Sequence, residues 1–189
     1  MVVPPRGAIF LDRDGTIVRD VGYLCSADQM VILPGAAAAI RLLEKHGWPV
    51  VVVTNQSGVA RGFLTERELG EIHDELCARL ERDGAYLSRI YYCPHHPSEG
   101  RAAYRVACEC RKPNPGMVRQ AVRDLGIDPS MSYVVGDQTG DMELARRVGA
   151  RGILIGRSGQ AKEDLAMFRA GSAADLWEAV QWIIAESIG

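Results

Sequence analysis

Aromatic side chains are scarce in this sequence, at 6% of 189 residues, and charge of either sign is nearly balanced, at a formal net −2. That balance leaves no bulk field to attract a polyanion, and no stripe of aromatic and basic residues offers single strands a stacking platform. Nucleic acid is therefore not an expected partner. No apolar run approaches the roughly 20 residues that a membrane-spanning helix needs, so a membrane is not expected either. Met1 to Gly7 carries one arginine and two prolines but no apolar stretch of the kind that directs export. Repeats, low-complexity tracts and linker-like segments are absent, which predicts one domain over residues 1–189. Cysteine is also sparse, with Cys25, Cys77, Cys93, Cys108 and Cys110 as the full set. An odd count with three members near histidine does not make a disulfide framework. It suits a metal site in a reducing compartment, and the cytoplasm is the expected location.

What is present is a chain that is 47% apolar and 24% charged, ordinary for a globular protein and long enough to bury a core. Ala8 to Leu11 is a short apolar run of the kind buried parallel strands show. Pro34 and Gly35 open an Ala- and Leu-rich helix that ends at His46-Gly47. Four valines, Val50 to Val53, predict a central strand. Thr65 and Glu68 have capping-box spacing for a helix running to about Arg82. Ile90 to Tyr92, Tyr133 to Val135 and Ile153 to Ile155 read as further strands. Helices are predicted from Pro115 to Gly126, from about Asp141 to Val148, and from Ala174 to Ile188. Ala170 to Ala173 reads as too poor in strand formers to add another strand. The alternation of strand and helix predicts an α/β doubly wound parallel sheet. Cys93 to Arg111 stands apart as an inserted loop.

In such sheets ligands bind beyond the carboxyl ends of the strands. Four polar clusters fall there: Asp12 to Thr16, Thr54 to Gly58, Arg111 to Pro113, and Gly136-Asp137 with Asp141. Alone, each reads as a turn or a cap; converging on one sheet edge, they read as a site. Asp12 and Asp14 are two residues apart, and Gly15 allows a tight turn that presents their oxygens and frees backbone amides for an anion. Neighbouring carboxylates stay ionised together only if a cation compensates them, and Asp137 would complete an oxygen set for a magnesium ion. A carboxylate so placed can attack phosphorus and split one hard step into two. Asp14 is placed to protonate a leaving alkoxide and then activate water, with Thr54 and Lys112 stabilising the transferring phosphoryl group.

Asp12-x-Asp14-Gly15-Thr16, Thr54, Lys112-Pro113 and Gly136-Asp137-x-x-x-Asp141 resemble the four motifs of the haloacid dehalogenase superfamily of phosphatases. The resemblance spans essentially the whole chain and implies a Rossmann-like fold. It implies Asp12 as nucleophile, Asp14 as acid/base, and Thr54 and Lys112 as phosphoryl stabilisers. Magnesium would be held by the side chains of Asp12 and Asp137 and the backbone carbonyl of Asp14, with Asp141 behind them.

Cys93-x-His95 and Cys108-x-Cys110 offer three thiolates and an imidazole, a closed tetrahedral set for zinc, which would order the loop over about 93–110. His95 is the better ligand, because Cys-x-His mirrors Cys-x-Cys; His96 reads as a surface residue, and Cys25 and Cys77 as unligated. A large cap domain has no room, so the site should be open. Within the superfamily, Gly22-Tyr23, Thr54 to Gly62, Cys93 to Pro97 and Cys108 to Pro113 are similar to the histidinol-phosphatase-like zinc-loop subfamily. Within it, Gln56 to Gly62 with Gly22-Tyr23 look closer to the heptose-bisphosphate phosphatases, which implies removal of the C7 phosphate of D-glycero-D-manno-heptose 1,7-bisphosphate, on the route to nucleotide-activated heptose. Histidinol phosphate is the rival substrate, and a non-catalytic zinc-stabilised binding module the remote alternative. Asp20, Val21, Gly22, Tyr23, Asn55, Gln56, Ser57, Arg111 and Gln138 would line the substrate site. Gln138 departs from the family pattern, where lysine is usual. Small size and an open site predict a monomer.

Overall fold

In the computed structural model, residues 7–156 and 171–188 are described; Met1 to Arg6, residues 157–170 and Gly189 lie outside them. Among the described residues six strands form one sheet: β1 (Ile9–Leu11), β2 (Val50–Asn55), β3 (Arg89–Cys93), β4 (Tyr133–Gly136), β5 (Arg151–Ile155) and β6 (Gly171–Ala173). Every pairing is parallel, and the spatial order is β3-β2-β1-β4-β5-β6. The connecting helices are α1 (Ala36–Lys45), α2 (Gly58–Arg61), α3 (Glu66–Arg82), α4 (Gly116–Leu125), α5 (Thr139–Val148) and α6 (Leu176–Ile188). None of the described helices is long and apolar enough to cross a membrane.

Side-chain alternation along the strands sorts the core onto two faces. Ile9, Leu11, Val50 and Val52 pack with Leu69, Ile72, Leu76 and Leu80 of α3 and with Val180 and Ile183 of α6. Phe10, Val51, Val53 and Val134 pack with Met117, Val118 and Ala121 of α4 and Leu144 of α5. Both faces are buried, which is why the strands read as unbroken apolar runs rather than alternating ones. The capping box forms as expected, with Thr65 Oγ1 accepting from Glu68 N and Glu68 Oε2 accepting from Thr65 N at 2.7 Å.

One expectation is corrected. Gly171–Ala173 does form a strand, pairing as Ile153↔Gly171, Leu154↔Ser172 and Ile155↔Ala173. Its backbone ladder with β5 supplies what its small side chains do not, and an edge position asks little of side-chain packing.

The chain runs outward from β1 through β2 to β3, then returns to lay β4 on the other side of β1. This reversal opens a crevice at the carboxyl ends of β1 and β4. Gly15 sits at that crevice with φ 77°, and a Cβ there would lie 2.3 Å from Asp137 Oδ2. Only glycine lets the turn after β1 come so close to the carboxylate that follows β4.

Candidate active site

Asp12 follows β1 with little of its surface exposed, and Lys112 reaches it from the segment before α4. Lys112 Nζ lies 2.8 Å from Asp12 Oδ1 and 2.7 Å from Asp141 Oδ1. Burial alone would lower the pKa of this ammonium, but the carboxylates of Asp12 and Asp141 together raise it. Lys112 is thus a fixed positive charge. Asp141 sits in the first turn of α5, and its Oδ2 accepts from the backbone N–H of Gln138 at 3.2 Å. Burial pushes the Asp141 carboxyl up to about 6, against the pull of Lys112.

Asn55, at the end of β2, grips Lys112 by its backbone. Its Nδ2 donates to the Lys112 carbonyl at 3.1 Å and its Oδ1 accepts from the Lys112 N–H at 3.0 Å. The Lys112-Pro113 peptide that follows this carbonyl is cis. Asn55 therefore aims Lys112, in addition to standing at the cavity wall.

Asp12, Asp137 and Asp141 present carboxylate oxygens that all lie within 4.8 Å of one another. Asp137 Oδ1 is buried without a hydrogen-bond partner among the described residues, while Oδ2 accepts from Gln138 Nε2 at 2.9 Å. Burial, followed by repulsion from Asp12, raises the Asp137 pKa. An orphaned buried oxygen among mutually repelling carboxylates is what a hard cation with oxygen ligands would satisfy.

Asp14 turns away from that group toward Arg13. The Arg13 guanidinium is wholly buried and bonds Asp14 through Nε to Oδ1 at 3.2 Å and through Nη2 to Oδ2 at 2.9 Å. Gln56 Nε2 donates to both Asp14 Oδ2 and Thr54 Oγ1 at 2.8 Å, while its Oε1 accepts from Arg13 Nη2 at 2.9 Å. Burial raises the Asp14 pKa while Arg13 opposes it. At the far side of the guanidinium, Arg13 Nη1 lies 3.2 Å from Nε2 of His73 on α3.

These groups surround a cavity of about 200 Å³ whose wall includes Asp20, Gly22, Asn55 and Gln138. It falls below the roughly 300 Å³ at which pockets enclose drug-sized ligands, so it suits a phosphoryl group with the rest of a substrate outside. The other residues expected at substrate stand outside this wall. Gln56 is buried behind it, because its side chain is consumed by Arg13, Asp14 and Thr54. Ser57 immediately precedes α2. Val21 and Tyr23 are exposed nearby, with Tyr23 edge-on to Phe63 at 4.8 Å and the Arg61 guanidinium 5.6 Å from its ring. Arg111 lies on the inserted loop, where Nη1 donates to the His95 carbonyl at 3.1 Å.

Cys93, His95, Cys108 and Cys110 converge as the spacing predicts, their ligand atoms within 4.8 Å of one another. Sulfur–sulfur distances are 3.2 to 3.5 Å, and His95 Nδ1 lies 3.3 Å from Cys110 Sγ. A tetrahedron with metal–sulfur bonds of about 2.3 Å has edges of about 3.8 Å, close to this spacing. The loop is tied down elsewhere too. Glu66 accepts from the hydroxyls of Tyr92 and Tyr104 at 2.8 Å, and Arg101 N donates to the Ala60 carbonyl at 2.7 Å.

Arg13 and His73 join this buried network although sequence reasoning did not single them out. Arg13 lies inside the first motif, but nothing local shows which way its side chain turns. His73 is a lone histidine on a helix, and only the packing of α3 over the end of β1 reveals its partner. Burial, with Arg13 as the second cause, lowers the His73 pKa from 6.5 to about 3. The unfolded chain therefore binds a proton that the folded one refuses. Stability from this group is complete above about pH 6.5 and declines toward pH 3, by up to about 1.4 kcal/mol per pH unit. Urea unfolding at pH 7.5 and 5.5 should show the wild type losing roughly 1 kcal/mol more than His73→Gln. Equal losses would remove His73 from the acid response.

Two family models match the chain: "Haloacid dehalogenase-like hydrolase" over residues 9–69 and "HAD-hydrolase-like" over 109–179. The chain is 43% identical over 157 residues to a D-glycero-beta-D-manno-heptose-1,7-bisphosphate 7-phosphatase of Haemophilus ducreyi, covering 82% of this chain and 86% of that one. It is 40% identical over 181 residues to the enzyme of the same name from Yersinia pestis, covering 92% and 95%. It belongs to this family of haloacid dehalogenase-like phosphatases. Among solved structures, the D,D-heptose 1,7-bisphosphate phosphatase from B. bronchiseptica, complexed with magnesium and phosphate, is similar at TM-score 0.81 and 34% identity, over 95% of this chain and 99% of that one. Membership in the heptose-bisphosphate phosphatase family agrees with a sheet whose crevice gathers Asp12, Lys112, Asp137 and Asp141.

Proposed function

We propose that this phosphatase removes the C7 phosphate of D-glycero-β-D-manno-heptose 1,7-bisphosphate through an aspartyl-phosphate on Asp12. The observation that carries the reading is the Asp12–Lys112–Asp141 chain at the crevice, facing Asp137. Lys112 and the Arg13 N–H, each 2.8 Å from Asp12 Oδ1, fix one carboxylate oxygen and leave Oδ2 to attack phosphorus. Attack breaks the bond from phosphorus to the sugar oxygen, and Asp14 gives that oxygen its proton. Asp14 then takes a proton from the water that splits the acyl phosphate, releasing inorganic phosphate and restoring Asp12. Thr54 and Lys112 hold the phosphoryl oxygens as charge develops on them. Asp12, Asp137 and the backbone carbonyl of Asp14 would hold magnesium, which when bound neutralises charge between carboxylate and phosphate. Asp141 keeps Lys112 in place rather than serving as a ligand, because its oxygens are taken by Lys112 Nζ and Gln138 N.

The substrate assignment leans on the relatives, whose names specify the β-configured heptose bisphosphate. Phosphate release with magnesium from the β and α anomers and from histidinol phosphate tests it. A kcat/KM at least tenfold higher for the β anomer is expected, whereas a preference for histidinol phosphate would reassign the enzyme.

Cys93, His95, Cys108 and Cys110 form a closed set for zinc, with no ligand position left for chemistry. The role of the ion is to order residues 93–110 and so to seat Arg111 and Lys112, which follow Cys110 directly. Structural zinc contributes about 10–16 kcal/mol in finger peptides, and even a third of that shifts melting by roughly 10 °C here. Chelation followed by restoration of magnesium alone should lower the melting temperature by about that much and speed proteolysis within the loop. Added zinc should reverse both effects, and an unchanged melting curve would argue against a structural ion.

A further inference from the structure

Arg13 is a buried guanidinium with five N–H donors to satisfy. Asp14 and Gln56 take up Nε and Nη2. On Nη1, His73 Nε2 at 3.2 Å is the one partner among the described residues. An arginine cannot accept, so the imidazole must offer a lone pair at Nε2 and is neutral. The ring is 7% exposed and lies 5.7 Å from the Tyr92 ring, which leaves it little freedom to turn. The imidazole therefore acts as a stop for the guanidinium, and the guanidinium in turn sets the plane of the Asp14 carboxylate through a two-oxygen contact.

We propose that His73 is a positioning residue for phosphoryl transfer. By accepting from Arg13 Nη1, it holds the guanidinium at the angle that points the Asp14 carboxyl toward the leaving oxygen. The proposal rests on the acid/base role read for Asp14. Without the acceptor, Nη1 is left buried and unsatisfied, and the guanidinium must tilt toward another partner, carrying Asp14 with it. Proton delivery then suffers, while Asp12, Lys112 and the metal carboxylates keep their places.

The test uses two leaving groups. A sugar alkoxide needs a proton to depart and nitrophenolate does not, so loss of acid catalysis shows in the first and spares the second. kcat/KM would be measured for D-glycero-β-D-manno-heptose 1,7-bisphosphate and for 4-nitrophenyl phosphate in the wild type, Asp14→Asn, His73→Leu and His73→Gln, with melting curves for each. His73→Leu should lose about tenfold on the sugar phosphate and under about twofold on the aryl phosphate. His73→Gln, whose carbonyl can accept from Nη1, should recover most of that loss. An equal loss on both substrates, or none in a variant that melts normally, overturns the proposal while a selective loss in Asp14→Asn preserves the role of Asp14. If Asp14→Asn is itself unselective, the acid/base reading fails and the positioning role falls with it.

Discussion

Asp12→Asn is expected to lower kcat by at least about 10³-fold on any phosphate monoester, with the fold intact. Nucleophiles acting within a catalytic unit carry losses of this order or greater when removed. The carboxamide has no charge to drive attack on phosphorus, and it weakens the carboxylate set that would hold a cation. It keeps an oxygen where Oδ1 stands, so Lys112 Nζ and the Arg13 N–H, each at 2.8 Å, still find an acceptor. Lys112 also retains Asp141 at 2.7 Å. The stability change should therefore be small beside the kinetic one. Single-turnover quench of the wild type should trap phosphate on protein, and the variant should trap none. Retention of more than a tenth of wild-type turnover would exclude Asp12 as nucleophile.

Lys112→Met should cost about 3–5 kcal/mol of stability at pH 8 without divalent ions. Methionine fills much of the same space, so the loss is electrostatic rather than a cavity. The Asp12 and Asp141 carboxylates, now unpaired, face each other in a site that water scarcely reaches. Burial already pushes Asp141 up to about 6 with Lys112 present, and removing the ammonium raises it further. A carboxylate whose pKa rises on folding is costly above that pKa, and the cost shrinks as pH falls through it. The deficit should therefore narrow between pH 8 and pH 5.5, the reverse of ordinary acid destabilisation. Urea unfolding of both proteins at the two pH values measures it. A deficit independent of pH would mean that Lys112 contributes packing and not charge. Turnover should fall by 10²- to 10³-fold, as for loss of one preorganised stabiliser of the transferring group.

Strand alternation and the order of motifs were legible because each rests on local chemistry. Val50 to Val53 cannot be other than buried, and Thr65 with Glu68 makes a helix start from a few adjacent residues. The zinc-type cluster was legible for the same reason, since Cys93-x-His95 and Cys108-x-Cys110 each place two ligands within one turn. The strand Gly171–Ala173 was not, because its existence depends on the free edge of β5 and not on its own side chains.

That Asp12, Asp14, Asp137, Asp141 and Lys112 would meet at one edge of the sheet followed from the sequence alone. Tertiary structure decided the division of labour among them. It gave Asp141 to Lys112, turned Asn55 into a clamp on the Lys112 backbone, and drew Gln56 inward to Asp14 and Thr54. It also set His73 against Arg13 across 60 residues of chain. The physical reason is range. Propensity, capping and metal spacing act between neighbours, whereas the partner of a buried charge is chosen by whichever element packs over it.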